Sequence, residues 1–235
     1  MTLHQLGITT VPLVCSSPSF LPSTALAATL ITLSESARER WLNSQLTRDS
    51  ETRAILLVTP NNPTGAIYPP ELIRDFARLA RAHRIALVVD ETYREFLPPG
   101  TGKPHALFAA EEPEEDWRTY FIQLFSFSKL VPNLLTGRSS QLYTRRSYAI
   151  PGHRLGSIIC SLPIQIQIHK TMDCLQICPA RPAQVAVAWA IEGTRDWREG
   201  VTRELVARAN VFVSGVGGID GWAVETVGAY FAYVG

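Results

Sequence analysis

Six side chains in this sequence could do chemistry together: Asn62, Asp90, Tyr93, Ser126, Lys129 and Arg154. Five fall in three short polar clusters, Asn61-Asn-Pro-Thr-Gly65, Asp90-Glu-Thr-Tyr93 and Ser126-Phe-Ser-Lys129. The sixth lies in Pro151-Gly-His-Arg-Leu-Gly156. They offer a carboxamide, a carboxylate, a phenol, a hydroxyl, an amine and a guanidinium. An amine acts as nucleophile or base only when it can lose its proton, which burial and a nearby cation favour. A guanidinium is a permanently charged planar fork suited to phosphate. Taken singly, each has an ordinary reading. Asn-Pro-Thr-Gly is a good turn sequence, an Asp at a strand end is often a helix cap, and a lone Lys or Arg is usually a solvated charge. Their order and their places relative to the strands argue for more.

The elements that must position them can be read from periodicity. Ala54-Ile-Leu-Leu-Val-Thr59 is an aliphatic run bounded by turn residues, the pattern of a strand buried on both faces. From Pro69 to His83, Leu72, Ile73, Phe76, Leu79 and Ala80 share one helical face. Glu71 lies near the start of this stretch and Arg81, His83 and Arg84 lie at its end, which complements the helix dipole. Ile85-Ala-Leu-Val-Val89 is a second strand that leads into Asp90. Strand, helix, strand is the βαβ unit of a parallel sheet, and sites in such sheets lie outside the carboxyl ends of the strands. Tyr120–Phe125 is a third strand ending in the Ser126–Lys129 cluster, and Arg154–Cys160 reads as another. Ala25–Leu46 reads as partly helical, Lys170 as a helix start, and Cys174–Gln184 as a helix crossing the domain. Trp189 to Val213 is helical with a turn signal at Gly193, and Trp197, Val201, Leu205 and Ala209 share one face. Ala229–Val234 is a last strand. Trp189, Trp197 and Trp222 read as packing residues.

Composition bounds the class. The 235 residues are 46% hydrophobic and 18% charged, which fits a globular domain with a sizeable core. A net charge of +1 gives no electrostatic case for nucleic acid or an anionic membrane as partner. No stretch reaches the roughly 20 apolar residues of a membrane span. The four cysteines form no C-x-x-C pair and read as reduced core thiols, which points to a cytoplasmic protein. His83, His105, His153 and His169 show no metal-ligand spacing, and no metal site is expected.

The clusters N-N-P-T-G, D-E-T-Y and S-F-S-K, in that order and each after a strand, together with P-G-H-R-L-G, resemble the class I/II aminotransferases, the fold-type I enzymes that use pyridoxal 5′-phosphate (PLP). The resemblance spans roughly residues 53–234. It implies an α/β fold, a mostly parallel sheet with helices on both faces, forming an incomplete large domain. It implies that Lys129 forms the Schiff base with PLP and moves the substrate proton. Asp90 would keep the pyridine nitrogen protonated, Tyr93 and Asn62 would donate to the ring phenolate oxygen, and Ser126 and Arg154 would bind the phosphate. The catalytic set is then Lys129, Asp90 and Tyr93. The partners implied are an amino acid and a 2-oxo acid, with a homodimer for the full-length relative. Another PLP reaction on the same scaffold, C–S lysis or a cyclopropane-carboxylate-synthase-like ring closure, and an inactive truncated family member remain as alternatives.

The sequence departs from the family pattern in two ways. It is expected to divide into a poorly defined N-terminal remnant at 1–50, its first 22 residues without order. A PLP-binding large domain at 51–225 follows, then the start of a truncated small domain at 226–235. No glycine-containing phosphate loop or ring-stacking aromatic is found in residues 1–50. In the family the phosphate-binding arginine follows the lysine by eight positions; here Arg154 follows Lys129 by 25. Removing the 17 residues 130–146 restores the pattern as S-F-S-K-S-Y-A-I-P-G-H-R-L-G. An insertion directly after a reactive lysine falls where geometry is least forgiving. A retained intron read in frame accounts for it better than a loop insertion. Sequencing cDNA across the codons for Lys129 to Ser147 is therefore expected to show a dominant transcript lacking codons 130–146; a dominant transcript that keeps them would overturn this reading.

Overall fold

In a computed structural model, residues 10–32, 52–102, 104–109, 116–129, 152 and 154–235 are described. The stretch 130–146 lies outside them, as do 1–9 and 33–51. Strands β1 (Ala54–Val58), β2 (Ala86–Asp90) and β3 (Phe121–Ser126) run parallel, and β4 (Gly156–Ile159) runs antiparallel to β3, in the spatial order β1-β2-β3-β4. Helix α1 covers residues 24–32, and α2 (Pro70–Ala82) connects β1 to β2. Helices α3 (Leu162–Leu175), α4 (Arg181–Gly193) and α5 (Arg195–Val216) follow. A hairpin of β5 (Val224–Gly228) and β6 (Phe231–Val234) ends the chain. The expected α/β class with a mostly parallel sheet is what the chain adopts.

Helix α2 forms where the 3.6-residue pattern places it. Pro70 opens it with a preset φ, and Ile73, Phe76, Ala77 and Ala80 form its buried stripe. It stops in a Schellman motif: the Arg84 amide donates to the Arg81 carbonyl and the Ile85 amide to that of Ala80, with Arg84 at φ 51°. The stripe packs on Ile55, Leu57, Leu87, Val89 and Phe121, with Ala27 and Ile31 of α1 in the same core. Burying one such large side chain contributes about 1.5–3 kcal/mol.

Several local expectations are corrected. Strand β1 is buried on one face, through Ile55 and Leu57, and leaves Leu56 55% exposed on the other. Residues 10–22 form no regular element, yet Leu13, Phe20 and Leu21 pack against the core. Lys170 does not start a helix; it lies in the second half of α3. The chain from Cys174 to Gln184 is broken between Leu175 and Arg181, because Pro179 and Pro182 cannot sit in a helix interior. Helix α4 turns Ala183, Val187 and Ala190 inward, which puts Trp189 outside at 69% exposure. Trp222 is likewise exposed, while Trp197 is half-buried. The last strand begins at Phe231, with Ala229 at φ 50° in the turn before it, and its partner β5 was not anticipated.

The core face ends in a polar layer. Along β2 the buried row Leu87, Val89 continues into Glu91, which is fully buried; on β3 the row Phe121, Gln123 does the same. The Glu91 carboxylate accepts from Arg94 Nη1 at 2.8 Å and from Gln123 Nε2, and lies 3.1 Å from His105 Nε2. Burial alone would raise its pKa. The contact with His105, the charge of Arg94 and the Gln123 hydrogen bond outweigh burial and hold it below the usual carboxylate value.

The β5–β6 turn meets the β1–α2 loop backbone to backbone. A methyl group on Gly65 (φ +77°) would come within 2.7 Å of the Gly228 nitrogen, and one on Gly228 would overlap the Gly65 carbonyl oxygen. The Thr226 hydroxyl donates to the Thr64 carbonyl nearby.

Two outcomes are expected. Gly228→Ala should cost about 2 kcal/mol or more in urea unfolding, since backbone rather than a flexible side chain would have to give way; a loss below about 0.5 kcal/mol would show that the turn does not dock. A depressed carboxyl stabilises the fold above its ordinary pKa, and that stabilisation is lost as pH falls through the folded value. The melting temperature of Glu91→Gln should thus lie below wild type at pH 7, with the gap closing below about pH 4. A gap independent of pH would mean that the ionised carboxylate contributes nothing.

Candidate active site

Parallel register brings the three clusters to one edge. Val58 pairs with Asp90 and Asp90 with Leu124, so β1, β2 and β3 end at the same level. The Thr59 amide donates to the Asp90 carbonyl, and the Glu91 amide to that of Leu124, which extends the ladder one step into the loops.

The two asparagines of the first loop divide the work. Asn61 builds the turn: its amide donates to the Ala66 carbonyl, its carbonyl accepts from Gly65, and its Oδ1 accepts from the Thr64 amide and hydroxyl. Its Nδ2 lies 3.4 Å from the Tyr68 hydroxyl, whose pKa burial and nearby Cys15 push up to about 12 despite that hydrogen bond. Asn62, one residue on, is free of turn duties among these bonds and donates from Nδ2 to the Tyr93 hydroxyl at 3.3 Å.

Tyr93 is buried, and its surroundings come from the far end of the chain. Phe231 and Tyr230 meet its ring edge-on at 5.0 and 5.5 Å, and Phe96 and Leu205 complete the cluster. Burial and the closeness of Tyr93 raise the Tyr230 hydroxyl above its usual pKa. From α5, Thr202 donates to the Glu95 carbonyl and Arg198 lies 3.5 Å from the Glu95 carboxylate, which fastens the turn after Tyr93. Lys129 is half-buried with Nζ 5.5 Å from the centre of the Tyr93 ring.

The remaining candidates flank this trio. Asp90, half-buried at the end of β2, accepts the Thr92 amide on Oδ1 at 2.9 Å. The Ser126 hydroxyl lies 2.7 Å from that of Ser128 and accepts the Ser128 amide. Arg154 is placed by the antiparallel pair: Ser126 stands opposite Gly156, and the Phe127 amide donates to the Leu155 carbonyl. That register sets Arg154 beside the strand-to-lysine segment, exposed and at φ 51°.

Thus Asn62 and Lys129 each meet Tyr93, one through its hydroxyl and the other over its ring, while Asp90, Ser126 and Arg154 lie along the same edge. The sequence reading missed Gln123, His105 and Glu91, although the period-two row Leu87, Val89, Glu91 signals that Glu91 faces the core. It also missed Tyr230 and Phe231 as the packing around Tyr93.

The donor set suits a group with an aldehyde, a phenolate oxygen, a ring nitrogen and a phosphate. An amine, a phenol with a carboxamide, a carboxylate, and a hydroxyl with a guanidinium stand ready, one set for each.

Comparison with known proteins agrees. The model of the family "Aminotransferase class I and II" matches residues 31–138, which include Asn62, Asp90, Tyr93, Ser126 and Lys129; Arg154 lies beyond the match. The glutamate-pyruvate aminotransferase AlaA of Escherichia coli K12 is 28% identical over 156 residues, 64% of this chain and 33% of that protein. The alanine aminotransferase of Mycobacterium tuberculosis H37Rv is 26% identical over 157 residues, 65% of this chain and 31% of that protein. The chain spans about a third of the length of these curated relatives. Among solved structures, N-succinyldiaminopimelate aminotransferase from Mycobacterium tuberculosis superposes with a TM-score of 0.65 at 20% identity, over 98% of this chain and 50% of that one. YbdL from Escherichia coli gives 0.67 at 18%, over 94% and 47%. The ordered motifs, the family match over residues 31–138 and the shared fold all point to the same likeness, to the class I and II aminotransferases.

Proposed function

We propose that this chain forms the PLP-binding part of an aminotransferase that moves an amino group between an amino acid and a 2-oxo acid. The observation that carries the reading is that Asn62 and Lys129 both meet Tyr93, three residues from three separate strand-end clusters.

When bound, PLP supplies an electron sink for the bonds at the substrate Cα. Lys129 would hold the group through its amine and, once displaced by substrate, would serve as the base that takes the Cα proton. Asp90 would keep a proton on the ring nitrogen. Tyr93 and Asn62, already hydrogen-bonded to each other, would present a hydroxyl and an amide N–H to the ring oxygen. Ser126 and Arg154 would bind the phosphate, the arginine as a planar fork. The edge-on packing of Tyr230 and Phe231 holds the Tyr93 ring and shields it from water.

The substrates belong to the same reading. Relatives named for glutamate, pyruvate and alanine support small amino acids and their oxo acids. A homodimer in the cytoplasm is also part of it. The exposed apolar side chains Leu162, Ile166, Val185 and Trp189 support association with a further surface. No helix among the described residues is long and apolar enough to cross a membrane.

The test is an absorbance spectrum of the purified chain with added PLP, before and after borohydride, beside Lys129→Ala. The expected result is a visible band that borohydride fixes to the protein only when Lys129 is present. L-Glutamate alone should then release a single equivalent of 2-oxoglutarate per bound PLP, whereas a lyase would turn over repeatedly. A band of equal strength in the variant, or none at all, would refute the assignment of Lys129.

A further inference from the structure

We infer that Glu91 and His105 are positioning residues: they clamp the turn that carries Asp90 and Tyr93, though neither faces the cofactor edge. This rests on the reading above only for the roles given to Asp90 and Tyr93. The clamp itself stands on geometry.

Glu91 is fully buried, and a carboxylate so placed is costly unless its oxygens are met by donors. The donors come from three different segments. Arg94, on the turn after β2, reaches Oε2 at 2.8 Å; Gln123, on β3, donates to the same oxygen. His105, on a loop fifteen residues beyond Asp90, brings Nε2 to 3.1 Å from Oε1. Oε1 and that Nε2 are both shut off from solvent, and their 3.1 Å approach is a close electrostatic contact rather than an aligned hydrogen bond. The other ring nitrogen fixes the tautomer. Nδ1 accepts the Leu107 amide at 3.3 Å, so it carries no proton, and the imidazole proton sits on Nε2, the nitrogen 3.1 Å from Glu91. Phe121 and Phe108 pack against the imidazole ring at 5.2 and 5.6 Å and hold it in place.

The backbone makes the clamp matter for the site. The Glu91 amide donates to Leu124, its carbonyl accepts from Arg94, and the Phe96 amide closes on Tyr93. Asp90 and Tyr93 flank this fixed residue on either side. With Glu91 held toward the core, alternation turns Asp90 away from it. The short turn that follows delivers Tyr93 to Asn62. Every donor around Glu91 points inward, so no neutral side chain of the same shape replaces it. In Glu91→Gln the carboxamide N–H must oppose a donor.

Two histidine substitutions separate the clamp from a merely local role. Gln at position 105 keeps an N–H at the reach of Nε2 and loses the Leu107 bond. Asn keeps an acceptor at the reach of Nδ1 and loses the donor to Glu91. Amide hydrogen exchange of the full chain without PLP is the measurement, comparing residues 90–96 with residues 72–80 of α2, which report general opening. Glu91→Gln and His105→Asn should speed exchange at 90–96 about tenfold more than at 72–80, and His105→Gln should not. PLP titrations should follow the same order, with apparent Kd raised about tenfold in the first two variants. Equal acceleration of both segments, or a greater effect of Gln than of Asn, overturns the clamp. If wild type takes up no PLP while the exchange pattern holds, the cofactor reading fails and the clamp stands.

Discussion

Three parallel strands that end at one level are the constraint on which the site depends. The ladder that sets Val58 beside Asp90 and Asp90 beside Leu124 carries no chemistry of its own. It converts three remote sequence clusters into neighbours, and strands about 4.8 Å apart put their loops within side-chain reach. Slipping β2 by one residue would send Asp90 into the core and Glu91 to the site, because side-chain direction alternates along a strand. Glu91 resists that slip. A carboxylate with its donors already in place beneath the sheet holds β2 in a single register.

The far end of the chain supplies the second support. The β5–β6 hairpin approaches the β1–α2 loop so closely that neither Gly65 nor Gly228 has room for a side chain. It then sets Tyr230 and Phe231 around Tyr93. Turn geometry alone asks for glycine at position 65, where φ is +77°. At Gly228 the demand comes from packing across the molecule. Helix α5 adds Leu205 and Thr202 to the same region. The turn from Asp90 to Phe96 is thereby held from below by Glu91 and from outside by the hairpin and α5. A site that must align an amine, a phenol and a carboxylate needs support of this kind.

What could be read before folding follows the range of the forces involved. Helix α2 was legible almost to the residue, because an amphipathic stripe, Pro70 at its start and acidic and basic ends are local signals. So were β1 and β2, each an aliphatic run closed by polar turn residues, and β3, a mixed aromatic and aliphatic run closed the same way. The readings that failed concern surroundings. Leu56 is aliphatic in a strand that suggested burial on both faces, yet it is exposed, since the cover of a strand is set by distant elements. Trp189 reads as a packing residue but points outward, because α4 presents a stripe of small and branched residues, Ala183, Val187 and Ala190, instead.

The sequence by itself determined the class of fold, a resemblance to one enzyme family, and the places of six candidate side chains along the sheet edge. Each of these rests on short runs of residues whose period and order survive without knowledge of contacts. Only tertiary structure decided which of the six touch, that Asn61 builds the loop while Asn62 faces Tyr93, and that Glu91 is held by Arg94, His105 and Gln123. The bond from Thr226 to Thr64 joins residues 162 positions apart. No local pattern encodes such a pair. It forms because the parallel ladder and the docked hairpin bring two backbones together, and that approach is a property of the assembled core rather than of either segment.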